Sequence, residues 1–233
     1  MKNSVNRRTF VAGALTACGG ALISSNPLNA ATSNSSSTPT PNKMTNKDFY
    51  TNGTFDGAKA KQAYFDLMKH FGYPMFDQFK GDDLWAIDFA VGDFVNAGMG
   101  GIFWANENHE GGGYLGHEIF LLPGQMIVEH SHVECDTCPP KRESWLVRHG
   151  SIYSFSVQDQ AKGFPKGVEI PASQKDSATV NSAILVPTGG IDHLNKAKAK
   201  HFMMAGPEGA IVTEFGTFHD NAGLRFSNPK VKF

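Results

Sequence analysis

Two histidines and a glutamate in the middle of the chain have the residue types and the spacing of a metal site. His130 and His132 are separated by one residue, and ten residues lie between His132 and Glu143. Because side chains alternate between the two faces of a β-strand, both imidazoles would project from the same side of a strand. A hairpin can bring the Glu143 carboxylate beside them, and this set of ligands suits a divalent transition metal. We therefore predict that these three side chains bind a metal ion.

Glycines on both sides of these residues resemble the first motif of the cupin family. In that motif Gly, five residues, His-x-His, a short gap, Glu, six residues and Gly follow one another. The matching residues are Gly124, His130, His132, Glu143 and Gly150, although the gap before Glu143 is longer than in the motif. The resemblance implies a β-barrel with the metal site inside it.

A fourth ligand is expected from a later strand, because a catalytic metal site usually has three or four protein ligands and keeps a position open. His201 begins an apolar stretch that ends in a Gly-Pro-Glu-Gly turn, and it resembles the histidine of the second cupin motif. We predict His201 as this ligand, with His193 and His219 as alternatives. We predict that the side chains of His70, His109 and His149 are exposed or hydrogen-bonded locally.

Cys135 and Cys138 form a C-x-x-C pair inside the long gap between His132 and Glu143. A structural zinc site would need two further ligands, and the chain has no second cysteine pair. In an oxidising compartment such a pair forms a small disulfide that stiffens a hairpin tip. A reactive or regulatory thiol pair and a role in metal binding remain open.

The composition favours one globular domain made of short strands. The chain has 233 residues, of which 40% are hydrophobic and 18% charged, enough for a substantial core. It contains 18 Phe and 25 Gly, and its one good helical pattern covers residues 55–71, where apolar side chains recur every three or four positions. We predict an all-β, cupin-type jelly-roll barrel with this N-terminal helix packed outside.

Short apolar stretches bounded by turn signals predict the strands of this barrel. They cover residues 85–89, 94–96, 101–106, 118–122, 126–132, 144–148, 152–157, 183–186, 199–204 and 210–215. Residues 160–176 have no such pattern and are predicted to form a loop.

The first 30 residues resemble an export signal. Arg7 and Arg8 lie in a twin-arginine-like motif, which a mildly apolar stretch rich in Gly and Ala follows. Cleavage after Ala30 is one interpretation. The other is a lipobox ending at Cys18, which would leave a lipidated N-terminus. We predict an export signal at 1–30, a Ser/Thr/Pro-rich linker at 31–47 and a single cupin domain at 48–233, located in the periplasm.

Charge and hydropathy restrict the partners. Removal of the leader would take Lys and Arg from 21 to 18 against 22 acidic residues, so the mature protein is mildly acidic. A protein of this charge without a basic stripe is a poor candidate for binding nucleic acid. No later stretch is apolar over the ~18 residues of a membrane span, which leaves a lipid anchor as the one predicted membrane contact. Because cupins commonly dimerise, we expect a homodimer.

Longer strings resemble the D-lyxose isomerase-like branch of the cupins, over roughly residues 84–226. These strings are residues 82–89, Gly92-Asp93-Phe94 with Gly98, Pro123-Gly124-Gln125, His130-Ser131-His132, Lys141-Arg142-Glu143, and Glu214-Phe215-Gly216-Thr217 with Asp220. The resemblance implies that Lys141 faces the substrate and that Glu214 or Asp220 moves a proton. Where the family has a lysine before Pro-Gly-Gln, this chain has His117 or Glu118. We expect His117 to contact the substrate.

Interconversion of an aldose and a ketose needs a metal that holds adjacent sugar oxygens and a base that moves a proton between C1 and C2. The resemblance thus implies a sugar isomerase whose His130, His132, Glu143 and His201 bind Mn²⁺, with Fe²⁺ and Zn²⁺ as alternatives. Its export is predicted from the leader. Three histidines and a glutamate also suit an Fe(II)-dependent dioxygenase. A periplasmic protein that binds a sugar or sugar acid without chemistry is the third hypothesis.

Overall fold

The computed structural model describes residues 44–110 and 112–233. The predicted export signal, the lipobox at Cys18 and most of the linker lie outside the described residues. A 3₁₀ helix, Asn46–Asp48, starts two residues before the predicted domain boundary at 48. Within the part of the chain that the structure describes, no helix is both long enough and apolar enough to cross a membrane.

The helix predicted for residues 55–71 is confirmed as α1, Gly57–His70. It begins at Asp56, whose carboxylate accepts a hydrogen bond from the Lys59 N–H at 3.1 Å. One face of α1 is buried, and from it the Tyr64 hydroxyl donates to the Gln125 side chain at 2.8 Å. The helix lies outside the sheet and covers a second apolar core there, as predicted.

Two short strands, β1 (Tyr50–Thr51) and β2 (Thr54–Phe55), form a hairpin before α1. The other nine strands found in the described residues belong to one antiparallel sheet. They are β3 (Trp85–Ile87), β4 (Met99–Glu107), β5 (Tyr114–Leu121), β6 (His130–His132), β7 (Glu143–Ser156), β8 (Ser182–Pro187), β9 (Ile191–His193), β10 (His201–Gly216) and β11 (Leu224–Phe226). A four-residue helix, α2 (Ala172–Lys175), lies in the predicted loop.

The sheet curls into a barrel because β7 and β10 each belong to two layers. Residues 201–205 of β10 pair with residues 152–156 of β7, and β6, β11 and β8 extend this layer. Residues 210–216 of β10 pair with residues 143–150 of β7, and β5, β4, β3 and β9 extend the other. The register shifts between the two halves. The predicted all-β cupin-type barrel is thus confirmed, with an apolar core between the layers.

Several predicted strand boundaries were wrong. The stretches 144–148 and 152–157 are one continuous strand, β7, and the stretches 199–204 and 210–215 are one continuous strand, β10. Residues 94–96 form a turn, in which the N–H groups of Asn96 and Ala97 donate to the Asp93 carbonyl. Only residues 130–132 of the predicted 126–132 strand are paired as a strand. The glycines taken as turn signals bend the long strands without ending them.

Gly150 is the residue at which β7 bends, and we predict that Gly150→Ala destabilises the barrel. Its φ is +70°, and a Cβ there would lie 2.0 Å from the Gly209 carbonyl oxygen. We expect a loss of about 3 kcal/mol in the free energy of unfolding, measured in urea. Gly167→Ala is the control, because Gly167 has a φ of +80° and open space around it. A loss in Gly150→Ala no larger than that in Gly167→Ala would contradict the clash.

Candidate active site

Three histidines converge inside the barrel. His130 and His132 project from the same face of β6, as the period of a strand requires. His201, the first residue of β10, is the paired neighbour of His130 across the ladder. Each histidine offers one ring nitrogen, and these three nitrogens lie within 4.8 Å of one another. The structure therefore brings together the histidines that the sequence predicted as ligands.

Glu143 completes the cluster from the opposite end of the β7–β10 ladder. Glu143 pairs with Gly216 and His201 with Ser156, so a flat ladder would hold the two side chains far apart. Because the ladder curls, the Glu143 Oε1 atom lies 2.9 Å from His201 Nε2 and 3.4 Å from His132 Nε2. The barrel thus places a carboxylate against two imidazoles.

The ring nitrogens are oriented for an ion. The Nδ1–H groups of His130 and His201 donate to the carbonyls of Val128 and Ala199, each at 2.9 Å, which leaves both Nε2 lone pairs free. His132 Nε2, His201 Nε2 and Glu143 Oε1 are buried without a hydrogen-bond partner. Unpaired buried polar atoms cost about 1–3 kcal/mol each, so this convergence is unfavourable unless something binds it. The donor set fits a divalent metal.

The electrostatics put His130, His132 and Glu143 in the forms that coordinate a metal, whereas the Glu143 carboxylate outweighs burial and raises the pKa of His201. Burial, and then the neighbouring His201, lower the pKa of His130 to about 3. Burial also lowers the pKa of His132. Although burial opposes it, the Lys141 ammonium holds the pKa of Glu143 well below its usual range. Neutral imidazoles and an ionised carboxylate are the forms that coordinate a metal.

A buried chain of charged side chains adjoins the cluster. Lys141 Nζ lies 2.8 Å from Glu143 Oε2 and forms a second ion pair with Glu214. The other Glu214 oxygen accepts a hydrogen bond from His117 Nδ1–H at 3.1 Å. Burial would raise the pKa of Glu214, but the Lys141 charge and the His117 hydrogen bond outweigh it and lower that pKa. A cation thus lies between two ionised carboxylates beside the candidate metal site.

His117 packs against two aromatic rings, Phe103 and Trp85, which also contact each other with centroids 5.9 Å apart. Its ring centroid lies 4.4 Å from that of Phe103 and 5.5 Å from that of Trp85, both nearly parallel to it. The ring lies over Gly101, where a Cβ would come within 2.4 Å of His117 Nε2 and 2.7 Å of Trp85. Because glycine has no Cβ, position 101 leaves space for the His117 ring.

We predict that Gly101→Ala displaces His117 and Trp85 and lowers the free energy of unfolding by about 1–3 kcal/mol. Gly116 on the adjacent strand is the matched control, because the nearest atom to a Cβ there is Trp104 Cβ, at 3.9 Å. Urea unfolding should show a change within ~0.5 kcal/mol for Gly116→Ala. Equal stabilities of the two variants would refute the crowding at position 101.

The cluster and the charged chain line one cavity of about 610 Å³, counted with its opening to solvent. His219 also lines it, with its ring centroid 5.4 Å from that of His132. From the sequence, we predicted His219 only as an alternative to His201 as the fourth ligand. The remaining walls are apolar: Trp85, Phe89, Met99, Phe103, Ile119, Ile127, Trp145, Phe202, Met203, Leu224, Phe226 and Phe233.

The structure does not bring Asp220 into this cavity. Its carboxylate caps a short 3₁₀ helix by accepting from the Ala222 N–H at 2.8 Å, and it also accepts from the Thr137 hydroxyl. Its position therefore does not support the proton-transfer role predicted for it. His193 is exposed and contacts Ser144 at 2.8 Å, outside the histidine cluster.

Cys135 and Cys138 face each other across a two-residue hairpin tip, with both thiols free and their sulfurs 3.4 Å apart. Hydrogen bonds from the Thr137 hydroxyl and backbone lower the pKa of Cys135. The two residues are paired as in an antiparallel ladder, a geometry compatible with a disulfide. A disulfide here stays a prediction.

The sequence is similar to those of sugar isomerases. No protein-family model matches the chain. It is 29% identical over 145 residues to the D-lyxose/D-mannose isomerase of Thermosediminibacter oceani, across 62% of this chain and 76% of the relative. It is 28% identical over the same length to the D-lyxose ketol-isomerase of Cohnella laeviribosi, with the same coverage.

The fold is also shared with solved structures. The L-ribose isomerase of Cellulomonas parahominis with L-psicose superposes with a TM-score of 0.56 at 17% identity, covering 73% of this chain and 90% of that one. The L-ribose isomerase of Acinetobacter sp. DL28 with L-ribose gives 0.58 at 16%, covering 74% and 91%. These structural likenesses show the fold alone. Together with the curated relatives, they confirm the resemblance to D-lyxose isomerase-like cupins.

Proposed function

We propose that this protein is a metal-dependent aldose–ketose isomerase. The observation that carries the proposal is the buried Lys141–Glu214 pair directly beside a three-histidine, one-glutamate cluster. The Lys141 ammonium and the Glu214 carboxylate lie beside the proposed ligands without belonging to them, so they are placed to act on a substrate held there. The names of the sequence relatives support the same chemistry.

His130, His132, Glu143 and His201 would hold the ion, and we propose Mn²⁺. When bound, it would polarise the carbonyl and the adjacent hydroxyl oxygen of an open-chain sugar, which acidifies the C2 proton. The Glu143 carboxylate would balance part of its charge. The Nδ1–H groups of His130 and His201 bond to the backbone, so their Nε2 atoms would be available to the ion.

Glu214 is the base in this proposal. Its lowered pKa keeps it ionised at neutral pH, so it can accept the C2 proton of an aldose and return that proton to C1. Lys141 would donate a hydrogen bond to a sugar oxygen as the hydroxyl proton moves from O2 to O1. His117 holds the Glu214 carboxylate in place through its Nδ1–H. No proton is gained or lost overall.

The proposal is tested by incubating the Mn²⁺-loaded protein with aldopentoses and aldohexoses and measuring ketose formation. The Glu214→Gln variant, purified in the same way, is the control for contaminating isomerases. We expect turnover in the wild type and turnover at least about 100-fold lower in the variant. The same low turnover in both preparations would remove the proposal. The dioxygenase and the non-catalytic hypotheses have no separate observation in their favour.

Lys141→Met should move the acid limb of the pH–rate profile to higher pH. The Lys141 charge lowers the pKa of Glu214, so the wild-type carboxylate is lost only as pH falls below the usual glutamate value of 4.5. Without the cation, burial would raise that pKa, and activity would be lost at a higher pH. We also expect a stability loss of about 3–5 kcal/mol, because two buried carboxylates lose their partner.

Lys198→Met is the control for Lys141→Met, because Lys198 pairs with Glu134 on the surface. Exposed ion pairs contribute about 0–1 kcal/mol. Kinetics between pH 4 and pH 9 would check both variants. An unchanged acid limb in Lys141→Met would contradict the role given to the buried cation.

Export by the twin-arginine route to the periplasm, with or without a lipid anchor, and a homodimeric state remain proposals. Cell fractionation of the full chain tests the location, with Arg7→Lys/Arg8→Lys as the comparison. We expect the wild type in the periplasmic or membrane fraction and the double variant in the cytoplasm. Equal distribution of both would contradict export through this signal.

A further inference from the structure

The two thiols of the hairpin tip lie within reach of each other but have different surroundings. The backbone groups of Cys135 and Cys138 bond to each other at 3.0 and 3.3 Å, and the two sulfurs lie 3.4 Å apart. Both side chains are partly exposed to solvent. Cys135 Sγ lies 3.2 Å from the Thr137 hydroxyl oxygen, whereas burial raises the pKa of Cys138.

These differences suit the two roles in a thiol–disulfide exchange. The attacking thiol has to ionise and to be reached from solvent, and hydrogen bonds from Thr137 lower the pKa of the accessible Cys135. The resolving thiol has to lie close to the first, as Cys138 does. Cys135 therefore has the surroundings of a nucleophilic cysteine, and Cys138 those of its resolving partner.

Hydrogen bonds link the Cys135 thiol to residues 219–223, the segment that follows β10. Cys135 Sγ contacts the Thr137 hydroxyl, and that hydroxyl donates to the Asp220 carboxylate. The other Asp220 oxygen accepts from the Ala222 N–H at 2.8 Å and so shapes the turn of this segment. Thr137 thus connects the thiol pair to the carboxylate that caps residues 221–223.

The same segment forms part of the cavity wall through His219. The His219 ring centroid lies 5.4 Å from that of His132 and 6.4 Å from that of Phe103. The Asn106 side chain of β4 bonds to the backbone N–H and carbonyl of His219 at 2.9 and 3.0 Å. Residues 219–223 are therefore held between β4 on one side and the cysteine hairpin on the other.

We propose that Cys135 and Cys138 form a reversible redox switch that acts on the cavity through Thr137 and residues 219–223. The oxidant is a small-molecule disulfide such as oxidised glutathione. The Cys135 thiolate attacks one of its sulfurs and releases the first glutathione thiol, and the Cys138 thiolate then attacks Cys135 Sγ and releases the second. One S–S bond breaks and one forms, so two electrons and two protons pass from the pair to the reagent.

The oxidised hairpin should hold residues 219–223 more firmly than the reduced one. A bond between the two sulfurs restricts the tip that carries Thr137, so its hydroxyl stays in a narrower range of positions beside Asp220. The segment then opens less often. A cavity wall that is already ordered costs less to order when a ligand binds, so oxidation should strengthen binding in the cavity.

Glutathione buffers of graded ratio test the switch itself. The full chain carries Cys18→Ser, which leaves Cys135 and Cys138 as its only thiols, and alkylation with mass spectrometry counts them. We expect one reversible transition from two thiols to none. Cys138→Ser should trap glutathione on Cys135, and Cys135→Ser should react at least about threefold more slowly. A pair that does not change across the buffers, or equal rates in the two variants, overturns the proposal.

Hydrogen exchange measures the coupling without any turnover. The N–H groups of Ala222 and Gly223 both donate to Asp220, so their exchange reports how the segment is held. We expect exchange in a peptide containing residues 219–223 to be at least about threefold slower after oxidation. Thr137→Val, which lacks the hydroxyl, should show no difference, and α1 is the internal control. No difference in the wild type, or the same difference in Thr137→Val, overturns the coupling.

A kinetic measurement rests on the proposed isomerase function. In the Mn²⁺-loaded protein, KM for the sugar should be at least about threefold lower in the oxidised form, with kcat within about twofold, because Glu214 and the proposed metal ligands lie on other segments. Equal KM values would overturn the effect on the cavity. Absence of turnover in both forms would count against the isomerase function alone, since thiol counting and hydrogen exchange still decide the switch.

Discussion

His201→Ala is expected to remove the bound metal and to lower kcat/KM for isomerisation by roughly 10³-fold. His201 Nε2 is buried without a hydrogen-bond partner and faces the other two histidines. Its loss leaves the neighbouring Glu143 Oε1 with one imidazole fewer beside it. Elemental analysis of protein purified without added metal, together with initial rates in added Mn²⁺, would measure both effects.

His193→Ala is the matched control for His201→Ala. His193 was an alternative ligand from the sequence, but in the structure it is exposed and bonded to Ser144. We expect wild-type metal content and activity in this variant. A chelator should also lower the thermal midpoint of the wild type and not of His201→Ala, because a ligand that binds only the folded state stabilises it. Full metal occupancy in His201→Ala would contradict the assignment of the cluster.

The histidine pair was predictable because its reason is local. A strand of period two puts His130 and His132 on one face whatever surrounds it. The helix α1 was predictable for the same reason, since its apolar positions follow the helical period and Asp56 caps its first turn. Such features need only a few consecutive residues to be specified.

The meeting of Glu143 with His201 could not be deduced from periodicity. The two residues begin different long strands and lie at opposite ends of one ladder, so only the curl of that ladder brings them together. Here the family resemblance supplied what local patterns could not, even across the ten-residue gap with its cysteine pair. The continuous strands were missed because Gly150 and the residues around the β10 bend look like turns in the sequence.

The sequence also could not decide whether Glu214 or Asp220 is the base. Glu214 and Asp220 lie close in sequence, and both were predicted to move protons. Tertiary contacts separate them, because Glu214 pairs with Lys141 and His117 inside the cavity, whereas Asp220 caps a turn near the Cys135 hairpin. No spacing of charges along the chain encodes that difference, which depends on where β10 ends relative to the barrel interior.

Glu214→Gln should lower kcat by about 10²–10⁴-fold while leaving the metal content unchanged. Glutamine preserves the size of the side chain and can still contact Lys141 and His117, but it cannot accept a proton from carbon. The ligand atoms of the metal cluster belong to other residues, so occupancy should not change. Initial rates and elemental analysis of the same preparation would measure the two quantities, and exchange of the C2 hydrogen with solvent would report proton removal directly.

Asp220→Asn distinguishes this role from a general effect of removing a carboxylate. Asparagine keeps an oxygen that can accept from the Ala222 N–H, so the turn should persist and kcat should stay within about twofold of the wild type. The opposite result would be that Asp220→Asn abolishes hydrogen exchange at C2 while Glu214→Gln retains it. In that case Glu214 is not the base, and Asp220 would have to leave its position at the turn and enter the cavity. Because Glu214 is buried between a cation and an imidazole, its loss should instead stop exchange even where the sugar still binds.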